Sequence, residues 1–176
     1  MKTRIFLLSL GVCVAALSCV WAAESMVVQM KQVSAEGVGQ SIGTITLSQT
    51  DDGVLITPQL EGLTPGLHGF HVHQNASCEP GEKEGKKAAA IAAGDHLDPA
   101  KAGKHEGPYG TGHLGDLPAL YVDASGKAAL PVLAPHVKLA DFKGHALMVH
   151  AGGDNYSDSP EKLGGGGARI ACGTIQ

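Results

Sequence analysis

Apolar residues along this chain recur in short alternating or β-branched runs separated by glycine, proline and aspartate clusters, and no long segment keeps a helical period. The pattern predicts strands over Met26–Val33, Ile42–Ser48, Val54–Thr57, Leu67–His73, Ala119–Val122, Ala128–Val132, Ala146–His150 and Ala168–Thr174. Asp51-Asp52-Gly53 and Asp123-Ala124-Ser125-Gly126 should close turns, because aspartate bonds its own backbone two residues on and glycine tolerates positive φ. Two stretches, Gln74–Pro118 and Ala151–Gly167, lack strand patterning; structureless segments of that size in a compact domain are usually functional or disordered. Within the first, alanine-rich Lys86–Ala93 could form a turn or two of helix but is too short to stand alone. The run Gly164–Gly167 lacks the lysine and hydroxyl residue of a phosphate loop and points to nothing specific.

The N-terminus changes the picture. Lys2 and Arg4 precede an apolar run from Ile5 to Val20, with small residues at Ala22 and Ala23, which is the layout of a signal peptide over residues 1–22. The run is too short for a stable membrane span. Ala16-Leu17-Ser18-Cys19 loosely matches a bacterial lipobox, so lipid attachment at Cys19 is an alternative. The remainder, residues 23–176, suits one domain with one core. The whole chain carries a formal charge of −4, and loss of Lys2 and Arg4 makes the exported part more acidic, which argues against nucleic acid as a partner. Cys13 and Cys19 lie in the leader, leaving Cys78 and Cys172 as a lone pair. In an exported protein a disulfide is the natural reading, with a cysteine-ligated metal or two free thiols as alternatives.

Nine histidines carry the chemistry. His71 and His73, two apart in a strand, place both imidazoles on one face, and His150 ends another apolar strand that could deliver it to the same place. His96, His105, His113 and Asp116 are threaded among glycines and prolines that forbid a helix. A loop folding imidazoles and a carboxylate around one cation suits zinc's tetrahedral preference and compensates for the loop's lack of a core. His105-Glu106 is not a metalloprotease motif, since Tyr109 stands where the second histidine is required.

The segments Gly66-Leu67-His68-Gly69-Phe70-His71-Val72-His73, Gly94-Asp95-His96-Leu97-Asp98-Pro99, His113-Leu114-Gly115-Asp116-Leu117-Pro118 and Gly167-Ala168-Arg169-Ile170-Ala171-Cys172-Gly173 resemble, in order and separation, the signatures of the copper/zinc superoxide dismutases. The stretch Ala146–Asp158 is similar to the bacterial, periplasmic branch. The resemblance implies an all-β fold, an eight-stranded Greek-key β-barrel of the immunoglobulin-like sandwich type with two long functional loops. It implies copper on His71, His73, His96 and His150, and zinc on His96, His105, His113 and Asp116, with His96 shared between the two ions. Asp154 would link a copper-bound to a zinc-bound histidine, Arg169 would dock an anion beside the copper, and Cys78 and Cys172 would form the family disulfide. His68, His136 and His145 have no counterpart among the ligands.

The activity implied is disproportionation of superoxide to oxygen and hydrogen peroxide at a redox-cycling copper, with His96 carrying a proton and zinc structural. The implied partner is a small anion; monomer and homodimer both stay open. A secreted copper carrier is the rival reading, disfavoured because storage needs neither an anion-docking arginine nor a shared histidine.

Overall fold

Eleven strands and three short 3-10 turns make up the regular structure of residues 24–176, the part that the computed structural model describes, and among the described residues there is no α-helix. The expected leader and Cys19 lie outside the described residues. The strands β1 (Ser25–Ser34), β2 (Gly37–Thr50) and β3 (Gly53–Leu60) form a meander. Two short strands, β4 (Gly66–His68) and β5 (Phe70–His73), replace the single expected strand Leu67–His73. They are followed by β6 (Gly81–Lys83), β7 (Lys86–Ala88), β8 (Leu120–Val122), β9 (Val132–Ala134), β10 (Ala146–His150) and β11 (Arg169–Thr174). The main antiparallel sheet runs β5-β10-β11-β1-β2-β3-β9, with β4-β8 and β6-β7 as separate ribbons.

Period-two burial explains the sheet. Val28 and Met30 of β1, Ile45 and Leu47 of β2, and Val54, Ile56 and Leu60 of β3 turn inward, while their neighbours in sequence, apart from buried Gly53, face solvent or lie part-buried. The alternation slips between Ile42 and Ile45, where Met30 pairs with Gly43 and Lys31 with Ser41. Ile42 is thus the extra residue of a bulge, which lets it join the core.

Gly69 separates β4 from β5 and lets the chain change partners, from β8 to β10. Strand β10 is buried on both faces: Leu147 and Val149 lie in the barrel core, whereas Ala146 and Met148 belong to a second cluster with Cys78, Ala90, Ala93 and Cys172. Directly paired residues share a face, so the pairs Met148↔His71 and Ala146↔His73 put both histidines on that second, outer face. The metal-binding chemistry therefore sits outside the barrel wall, beneath a loop.

That loop, 74–118, is laced to the free edge of β5. Val72 N–H donates to Gly115 O at 2.9 Å, Leu97 N–H to Val72 O at 2.8 Å and Gln74 N–H to Asp95 O at 3.0 Å. The disulfide Cys78–Cys172, spanning 94 residues, ties it to β11. The sequence-based helix at Lys86–Ala93 is corrected: Glu84 and Gly85, both at positive φ, turn Lys86–Ala88 back onto Gly81–Lys83, and only Ile91–Ala93 keeps a 3-10 turn. The strand expected at Ala128–Val132 lies later, at Val132–Ala134, with Ala128 bridging only to Leu60. Asp123 caps its turn as expected, accepting from the amides of Ser125 and Lys127 at 2.8 and 3.0 Å.

Closing a 94-residue loop removes unfolded-state entropy equivalent to roughly 4 to 5 kcal/mol. Cys172→Ser should lower the free energy of unfolding by up to about that amount, read as a fall in the urea midpoint with a steeper slope, because the unlinked denatured chain exposes more surface.

Candidate metal centre

Strand β5 supplies His71 and His73, the end of β10 supplies His150, and the laced loop brings His96 back beside them, with His73 and His96 facing each other across a bridge of backbone. The ring of His96 stacks on that of His71 with centroids 3.8 Å apart. The potential ligand atoms of His71, His73, His96 and His150 all lie within 4.8 Å of one another, and so do those of His71, His96, His105 and Asp116. His71 and His96 are common to both groups. His113 stands beside the second group, its Nδ1 3.4 Å from Asp116 Oδ1.

Hydrogen bonds decide which nitrogen each ring presents. His73 Nδ1–H donates to Gly94 O at 2.9 Å, and His150 Nδ1–H to Gly167 O at 3.2 Å. Their Nε2 atoms then hold lone pairs, and these face each other at 3.4 Å. Two lone pairs at that distance repel unless a cation or proton lies between them. His71 Nε2–H donates to Asp154 Oδ2 at 2.8 Å, which turns its Nδ1 inward without a partner. His105 Nε2–H donates to the other oxygen of Asp154 at 2.7 Å. Its Nδ1 lies 2.8 Å from Asp116 Oδ2 yet is misaligned for a hydrogen bond, and His113 Nδ1 is likewise unpartnered. Close approach without hydrogen-bond geometry is what donors aimed at a common ion show, so the residues present fit zinc and copper: nitrogen and carboxylate donors for the first, imidazoles alone for the second.

Charge separates the two groups. Burial pushes His71 down to about 4 and His150 to about 3, and holds His73 well below its ordinary value, so all three are neutral near pH 7. Burial also lowers His96. For His105 burial alone acts downward, but the close approach of Asp116, the hydrogen bond to Asp154 and the negative charge of both carboxylates outweigh it and raise it to about 9. Both carboxyls would be raised by burial, but the surrounding imidazoles hold them well below the usual range.

Arg169, opposite His150 in the β10–β11 pairing, donates from Nη1 to Ala90 O and from Nη2 to Gly94 O, each at 2.6 Å. The Gly94 carbonyl thus serves both His73 and Arg169. Arg169, Lys83, Asp95 and Gly167 line a cleft of about 600 Å³.

Several contributors were not singled out in the sequence. Asp158 accepts from the amides of His105 and Leu163, pinning the loop that carries His105 to the 151–167 segment. Tyr156, at positive φ, donates its N–H to Asp154 Oδ1 at 2.8 Å, lays its ring on Gly107 and accepts from Ala119 N–H at 3.0 Å. The glycine run also has a use: any side chain at Gly164 would collide with Asp154, and one at Gly166 would press on the His150 ring at 3.2 Å. The signal was the run itself, four residues without a Cβ. The remaining histidines lie apart from both groups. His68 bridges Thr64 O and His150 O through its two ring nitrogens, His145 donates to Gln74 O, and His136 is exposed.

The family profile described as copper/zinc superoxide dismutase (SODC) matches residues 41–175. The superoxide dismutase [Cu-Zn] of Escherichia coli (strain K12) is 57% identical over 155 residues, 88% of this chain and 90% of that protein. The Cu/Zn superoxide dismutase structure from Brucella abortus superposes with a TM-score of 0.85 at 54% identity, covering 87% of this chain and all of that one. The solution structure of the monomeric enzyme from Salmonella enterica gives 0.79 at 56% identity, again over 87% of this chain and 100% of that one. Fold, paired histidine groups and these likenesses agree: the chain belongs to the copper/zinc superoxide dismutase family.

Proposed function

We propose that this chain disproportionates superoxide to oxygen and hydrogen peroxide in the bacterial periplasm, after export on a cleaved leader spanning residues 1–22. The observation that carries the reading is the pair of overlapping ligand groups, one all imidazole and one containing Asp116. His71, His73, His96 and His150 would hold copper, and His96, His105, His113 and Asp116 zinc. His96 rather than His71 is the shared imidazole: Asp154 engages His71 Nε2, leaving that ring one nitrogen, whereas His96 turns Nδ1 to Asp116 Oδ1 at 2.9 Å and keeps Nε2 for the other group.

Copper bound there supplies a one-electron couple that oxidises one superoxide to oxygen and reduces the next to peroxide. Every other element of the chemistry belongs to the chain. Arg169 directs two of its five donors to carbonyls, so its plane is fixed while the other donors remain for an anion in the cleft. His96 can hold a proton at Nε2 and release it, since burial lowers its basicity. Asp154 and Asp116 orient the rings, and the 151–167 segment covers Asp154 from water.

The β6–β7 hairpin carries exposed Lys83, Lys86 and Lys87, with Lys83 lining the Arg169 cleft and Lys162 exposed on the later loop. These cations would draw an anion inward despite the acidic total.

The copper- and zinc-loaded protein should remove superoxide rapidly, and Arg169→Ala should lower the second-order rate at least about tenfold, in line with loss of a charge-assisted anion contact; a loaded protein that binds copper without turnover would be a carrier. Replacing Lys83, Lys86 and Lys87 by glutamine should lower the rate and flatten its dependence on salt; an unchanged salt slope would remove steering from the account. Zinc uptake by the metal-free protein should release about one proton at neutral pH, from His105 Nδ1, and none once the pH exceeds about 9, as read by calorimetry in buffers of different ionisation heat. The sign is fixed by the upward shift. Protonated His105 stabilises the metal-free fold fully below its ordinary value of 6.5, and that contribution is lost as pH rises through about 9.

A further inference from the structure

A second cleft, of about 360 Å³, shares no lining residue with the Arg169 cleft. Pro99, Thr111, His113 and Asp116 from the 74–118 loop form one wall, and Pro135 and His136, beyond β9, the other. Its chemistry is the reverse of its counterpart's. Arg169 and Lys83 make the first cleft suited to an anion, whereas no lysine or arginine lines the second among the described residues; its ionisable members are two histidines and an aspartate. Within the zinc group, the side chains of His96, His105 and Asp116 are 2%, 0% and 0% exposed, and that of His113 is the most open, at 10%. The most exposed member, His113, lies on this cleft together with Asp116.

We infer that the second cleft is a cation port through which zinc reaches His113 and Asp116 without crossing the anion cleft at Arg169, with exposed His136 as the first imidazole an incoming ion meets. The inference rests on the assignment of His113 and Asp116 to zinc. An aquated zinc ion must exchange waters for protein donors one at a time, and the order of exposure supplies that sequence: an exposed imidazole, then a part-buried one, then a buried carboxylate. A cation passing Arg169 would meet repulsion; this path avoids it.

The test uses cobalt(II), whose tetrahedral absorption bands report occupancy of the zinc group, mixed with the metal-free full-length exported chain. His136→Ala, at an exposed position, should slow cobalt uptake severalfold and leave equilibrium cobalt affinity and the rate of copper uptake unchanged. Ala100→Trp, at the exposed rim, should slow cobalt uptake further by narrowing the mouth, with far-ultraviolet circular dichroism checking the fold. Unchanged cobalt uptake in both variants overturns the port, and so does an equal slowing of copper and cobalt. If the parent chain takes up no cobalt into a tetrahedral site, the zinc assignment falls and the port with it.

Discussion

The carboxylate of Asp154 stands between two imidazoles and decides which nitrogen each turns to the metal. One oxygen takes the Nε2–H of His71 and the other that of His105, and both side chains are closed to solvent. A ring whose tautomer is fixed by one partner presents a lone pair on its opposite nitrogen, so a single acid prepares a donor in each of two neighbouring groups. The late loop can be understood as the structure needed to hold that carboxylate. Tyr156 donates a backbone N–H to it, Gly164 passes close enough over it that no side chain is tolerated, and Asp158 anchors the amide of His105. An irregular segment with almost no apolar contacts is ordered by satisfied polar groups converging on one acid.

The barrel supplies what the loops cannot, a rigid wall. Strand β10 packs Leu147 and Val149 into the core and turns Met148 and Ala146 outward, directly beside His71 and His73. His71 and His73 therefore ride on a strand whose register is held from both sides, and a one-residue slip would drive them into the apolar interior. The third, His150, leaves regular pairing at a bulge, with Val149 opposite Ala171 and His150 opposite Arg169. That bulge makes the Arg169 guanidinium a neighbour of the histidine group. The disulfide closes the arrangement from outside, joining β11 to the loop whose Gly94 carbonyl positions both His73 and Arg169.

Much of this is legible in the sequence because strands advertise themselves locally. Alternation locates the strands to within a few residues over most of the chain, and the two-residue spacing of His71 and His73 is sufficient by itself to put them on one face. The errors have local physical causes. Lys86–Ala93 carries helix-forming alanines, yet Glu84 and Gly85 at positive φ and Ala90 at φ 53° dictate a hairpin and a short turn, and nothing in the composition marks a non-glycine residue that will accept that conformation. The glycine run looks empty in sequence because its purpose is a close approach to Asp154 and His150, side chains well before it in the chain. The carbonyls of Gly94, Gly167 and Ala90, which set tautomers and fix a guanidinium, leave no trace in residue type at all, since every residue has one.

Buried charge explains why such a site must be coupled to its ions. Asp116 and Asp154 bury two carboxylates within reach of one another through His105, and isolated burial of either would cost several kcal/mol. In the metal-free protein the cation available is the His105 imidazolium, one positive charge against two negative ones, while His71, His73 and His150 stay neutral and contribute none. The remaining deficit is negative and lies on the Asp116 side, whereas His71, His73 and His150 are an uncharged set of lone pairs with Arg169 paired opposite His150. A divalent cation is consequently drawn more strongly to the Asp116 group. The electrostatics thus distinguish the two groups: the Asp116 group attracts a cation by charge, and His71, His73 and His150 offer neutral donors at the strand edge, with Arg169 opposite His150.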